Sequence, residues 1–141
     1  MELVNKQDQK VLAFWAADCA EHVLSYFEKK YPKDGRPRKA IDAGRAWAKG
    51  EIKMIEARKA AIAAHAAARD ADDVAARAAA RAAGHAAGTA HVAGHAPHAA
   101  SYAVAAAEAA GVAKERDWQY RRLPKHLRPI ALLHRAASKK S

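Results

Sequence analysis

A chain of 141 residues has the length of one folding domain, and its single cysteine, Cys19, excludes an internal disulfide and any multi-cysteine zinc site. Alanine supplies 41 residues of the 51% hydrophobic fraction, so the core must come from close helix contacts more than from bulky side chains. The net charge of +10 is uneven: residues 1–113 hold 16 Lys/Arg against 13 Asp/Glu, and residues 114–141 hold 9 against 2, so the basicity belongs to the C-terminal segment.

The first ten residues, "MELVNKQDQK", lack the apolar run of a signal peptide, and cytoplasmic residence is expected. Gln9 to about Lys30 predicts a first helix in which Val11, Trp15, Asp18, Cys19, His22 and Tyr26 share one face. Tyr31–Gly35 is a turn, and Pro37 suits the first turn of a second helix that ends near Gly50. A third helix runs from about Ile52 to Arg69. Asp70–Asp73 breaks the pattern, and its acids suit the start of a fourth helix that continues to about Val92. Gly94 and Pro97 then predict a stop and a restart at Pro97. A fifth helix reaches Ala110 and is closed by Gly111, and a sixth covers about Lys114–Arg122. Leu127, Ile130 and Leu133 at three-residue spacing mark a last piece before a frayed tail at 137–141.

The expectation is therefore an all-α, Ala-rich bundle of six or seven helices, forming one domain over residues 1–141. Its basic segment, 114–141, packs in part. Ala82–Ala113 holds no Lys or Arg, but four histidines, a glutamate and a proline argue against a membrane span. Gly84 and Gly88, four residues apart, predict a smooth groove for a neighbouring backbone. Trp15, Trp47 and Trp118 are expected as core anchors.

Three histidines fall within "HVAGHAPH", residues 91–98. His91 and His95 would suit a metal if one helix carried both, but Gly94 and Pro97 interrupt it, and no HExxH is present. Histidines satisfied at helix contacts are the expected reading, with no metal and no cofactor. Asp18 one turn before His22 allows a carboxylate–imidazole pair. With Arg45, His65 and Arg69 it suggests a buried polar network, to which His85, His91 and His95 are further candidates. Cys19, three residues before His22, is expected to pack as a small apolar side chain, so no catalytic residue is named. Arg121, Arg122, Lys125 and Arg128 are basic surface candidates, and nucleic acid is the alternative partner they would serve. A second copy of the chain is a further candidate partner; a membrane is not.

Several phrases occur in order: "WAADCAEHVL" at 15–24, "RPRKAIDAGRAWAKGEI" at 36–52, "ARKAAIAAHAAAR" at 57–69, "AARAAGHAAGTAHVAGHA" at 79–96 and "ERDWQYRRLPKHLRP" at 115–129. Together they resemble a family of small all-helical bacterial and archaeal proteins described as immunity proteins and assigned to polymorphic toxin systems. The resemblance implies a non-enzymatic inhibitor that binds a cognate toxin domain. It also implies that the family's recurrent polar residues are Asp18, His22, Arg45, His65, Arg69, His85, His91 and His95. A basic chain in that role needs a local acidic face or an acidic target.

Overall fold

The computed structural model describes residues 4–131, and within them the regular structure is helical throughout. In chain order the helices are α1 (Lys6–Val23), α2 (Ser25–Glu28), α3 (Arg36–Ala48), α4 (Met54–Asp70), α5 (Val74–Gly88), α6 (His95–Ala109) and α7 (Glu115–Arg122), followed by a 3-10 turn at Lys125–Leu127. Six or seven were expected, and the eighth arises because the first expected helix is divided. At Leu24 the amide bonds back three residues, to the Glu21 carbonyl at 3.2 Å, and α2 continues behind it as a single turn.

Helix ends follow local chemistry. Asn5 accepts the Asp8 amide at 2.7 Å and Asp73 accepts the Ala76 amide at 2.9 Å, so the expected acidic break supplies the cap of α5. Gly50 and Gly111 take left-handed φ values of 78° and 80° behind α3 and α6. The next amides, of Glu51 and Val112, bond back to the Ala46 and Ala107 carbonyls, each at 2.8 Å.

The stretch around the histidines departs from expectation. α5 stops at Gly88, not near Val92, and the amides of His91 and Val92 both bond to the Gly88 carbonyl, at 2.9 and 3.0 Å. α6 begins at His95, not at Pro97. Pro97 is its third residue, inside the first turn, where a missing N–H breaks no intrahelical bond. His91 therefore sits in the connecting turn and shares no helix with His95.

α5 lies at the centre and packs against α1, α2, α3, α4 and α6. Its buried residues are all alanine or glycine. Small side chains let neighbouring axes come close: a Cβ added to Gly44 of α3 would meet the Ala86 carbonyl oxygen at 3.2 Å. The larger core side chains, Leu12, Trp15, Phe27, Ile41 and Leu123, come from α1, α2, α3 and the end of α7. Of the tryptophans expected as anchors only Trp15 is buried; Trp47 and Trp118 are partly exposed. Trp15 Nε1 donates to the Gln119 carbonyl at 2.8 Å, and buried Gln119 donates through Nε2 to the Ala100 carbonyl, also at 2.8 Å. One glutamine thus ties α7 to both α1 and α6. Leu127 is buried and Ile130 packs on the core, whereas Leu133 and the 137–141 tail lie outside the described residues. Among the described residues no helix is long and apolar enough to cross a membrane.

Candidate functional site

The alanines of α1 decide which polar residues reach the surface. Its buried face runs through Leu12, Trp15, Ala16, Cys19, Ala20 and Val23, which leaves Asp18 and His22 at the edge, not the centre. There they meet α3 and α7 in an open cleft of about 310 Å³ lined by Asp18, Glu21, His22, Arg45, Trp118 and Arg122. Arg45 donates to Asp18 at 2.8 Å and lies 2.6 Å from Glu21. Arg38 reaches Glu21 at 3.3 Å and Glu28 at 3.1 Å. The hydrogen bond from Arg45 holds the Glu21 carboxyl below its ordinary range. His22 takes a different partner from the one expected. Its Nδ1 lies 2.6 Å from Oε2 of buried Glu115, and its ring stacks on Trp118 at 3.6 Å between centroids. The Arg122 guanidinium covers the same Trp118 ring at 4.7 Å. Beneath this surface Cys19 is fully buried, and burial raises its thiol well above the ordinary value, so it remains protonated at neutral pH.

The second cluster is built where α4, α5 and α6 meet. His85 is its hub: His65, His95, His98 and Tyr102 lie around it with centroids 4.8 to 5.3 Å from its own. His85 and His95 share an Nδ1–Nδ1 hydrogen bond of 2.9 Å, and Arg81 donates to His65 Nδ1 at 3.1 Å. Gly84 and Gly88 make the room. A Cβ on Gly84 would fall 2.6 Å from the His65 ring, and one on Gly88 3.0 Å from the His95 ring. The expected groove for a backbone is instead filled by two imidazoles. The Tyr102 ring stacks on His85 at an interplanar angle of 7°, so the cluster meets partly through ring faces. Among the described residues no group of three or more His, Cys, Asp or Glu is arranged to hold a metal ion.

Burial, reinforced by the charges of Arg81 and the neighbouring histidines, lowers His65 to about 4 and His85 to about 3. His95 is lowered for the same first reason. An unfolded histidine takes up its proton near pH 6.5, but in the folded state His65 waits until about pH 4 and His85 until about pH 3. The unfolded state therefore binds more protons between those limits. The stability contributed by the neutral rings is complete above about pH 6.5 and is lost as pH falls. With rings that are only partly buried, we expect a loss of about 1–2 kcal/mol between pH 7.5 and 4.5, or about 5 °C in Tm. His85→Gln should flatten that slope. A wild-type Tm that is level over this range would contradict the neutral cluster.

The eight residues expected in one buried network thus divide in two. Asp18, His22 and Arg45 join the first cluster; His65, His85 and His95 join the second; none is fully buried. Arg69 and His91 are exposed, and the Arg69 charge adds a minor share to the lowering of His65. Of the basic candidates, Arg121 and Lys125 are exposed, while Arg122 covers Trp118. Arg128 lies 5.0 Å from the Tyr120 ring and donates to the Leu123 carbonyl at 3.0 Å. Sequence reading missed Glu21, Arg81, Tyr102, Glu115 and the stacking role of Trp118. His95, His98 and Tyr102 do stand at i, i+3 and i+7, a stripe that could have drawn Tyr102 in.

Residues 2–126 match the model of a family described as Imm-5 like putative immunity protein. No curated protein and no solved structure matches the chain.

Proposed function

The chain belongs to the Imm-5 like putative immunity protein family, and we propose that it neutralises a cognate toxin in the cytoplasm by direct, non-enzymatic binding. The family match carries this reading, because it spans α1 to α7 and therefore both clusters. The surface chemistry is in keeping with it. Arg38, Arg45, Glu21 and Asp18 are spent on one another, which fixes their geometry, and the only thiol is buried and protonated. Such a surface is shaped for recognition before any partner arrives.

The test is co-expression with the product of a toxin gene encoded beside this one. Growth should be restored, and the two chains should co-elute as a stable complex. Restored growth with no complex, and with the toxin chemically altered, would replace binding by an enzymatic antidote. Retention on nucleic acid that weakens steeply with salt, in place of a protein complex, would move the role to the basic segment.

A further inference from the structure

Arg77 and Arg81 stand one turn apart on α5 and, with Val74, Ala78, Tyr102 and Ala105, line a groove of about 320 Å³. Elsewhere on the molecule the arginines of Asp34–Arg36, Glu28–Arg38 and Asp18–Arg45 are neutralised by carboxylates at 2.7 to 3.1 Å. In this groove the arrangement differs. Arg77 donates through Nε and Nη2 to the Ala71 carbonyl, at 3.2 and 2.8 Å, and Arg81 donates through Nη1 to His65 Nδ1. Among the described residues neither guanidinium has a carboxylate partner. The His65 and His85 rings behind Arg81 carry no negative charge, so they add no counter-charge either. Against these two cations the groove is apolar, and part of that surface is open to water: Val74 is 74% exposed and Tyr102 37%.

Resting on the immunity reading above, we propose that this groove is the seat for an acidic and apolar segment of the partner protein. A carboxylate is held by Arg81 and Arg77, and a neighbouring apolar side chain lies over Val74, Tyr102 and Ala105. Uncompensated arginine beside tyrosine and aliphatic surface is the composition of an interface centre, where a carboxylate can be gripped by two parallel N–H bonds away from bulk water. A nucleic-acid backbone would find two cations here and mostly apolar surface. This seat also answers how a chain of charge +10 can serve in neutralisation: it grips an acidic target.

The first probe is a blocked hexapeptide alternating glutamate with leucine and phenylalanine, titrated into the labelled full-length protein and followed by NMR. The signals of Val74, Tyr102, Ala105 and the His65 ring should move. Binding should be about tenfold tighter than for the same peptide carrying glutamine. Arg81→Gln keeps a donor for His65 and should remove that tenfold advantage. Equal binding of the two peptides, or an unchanged advantage in Arg81→Gln, overturns the proposal. So does inorganic phosphate that moves the same signals as strongly, since that describes an anion site and not a protein seat. The second probe is the neutralisation assay with the double variant Arg77→Glu/Arg81→Glu, its fold checked by circular dichroism. Protection should fall at least tenfold. Protection equal to wild type removes the seat and leaves the immunity reading intact. A wild-type protein that protects against no toxin removes the immunity reading, and with it the seat as a toxin site.

Discussion

Phe27→Ala is expected to cost about 3–5 kcal/mol and to lower Tm by about 10–20 °C. The reason lies in its surroundings. Phe27 is 1% exposed in a core cluster made largely of alanine, with Tyr31 tilted against it at 5.1 Å. When a large side chain is removed, neighbours usually swing in and recover part of the loss. Alanine has no rotamer to swing, so the void stays open. Urea unfolding with an unchanged m-value would read the cost directly. A loss below about 2 kcal/mol would mean that the helices themselves close over the gap.

Gly44→Leu carries the second large effect, of the opposite kind. At Gly44 the obstruction is backbone: the Ala86 carbonyl oxygen at 3.2 Å from an added Cβ and the Ala87 Cα at 3.6 Å. A leucine there must separate α3 from α5, at a cost of about 3 kcal/mol or more. Gly44→Ala should be far milder, because a tight contact is set against about 1 kcal/mol of helix propensity. Gly84 offers the contrast. The three atoms nearest its added Cβ all belong to the side chain of His65, an imidazole and not a backbone. Gly84→Ala should therefore keep the fold and displace the histidine. Thermal melts of the three variants side by side test the ordering. A Gly44→Leu protein as stable as wild type would show that the α3–α5 crossing can widen freely.

Where a feature depended on neighbours in sequence, it was legible. Gly50 and Gly111 end helices because only glycine takes their φ cheaply, and the acids before α5 include its cap. Where it depended on which faces meet, the reading slipped. Periodicity puts Asp18 and His22 on one face with Val11, Trp15, Cys19 and Tyr26, but Ala13, Ala16, Ala17 and Ala20 are buried as well and shift the packed face of α1 so that both residues fall at its edge. Glu115 could not be foreseen as the partner of His22, because 93 residues separate them. Pro97 suits a helix start because proline is tolerated through the first turn, and a sequence cannot say which position of that turn it holds.

The bond from Trp15 to Gln119 spans 104 residues, and it fastens the helix that supplies Trp118 and Arg122 to the first cleft. Closing a loop of that size is slow compared with pairing α4, α5 and α6, which follow one another along the chain. The order of events expected from this topology is that the alanine helices assemble early and α7 docks late upon them. The cleft is then complete only once α7 has been made and has docked. The α4–α6 histidine cluster, and the groove beside it, need no such wait.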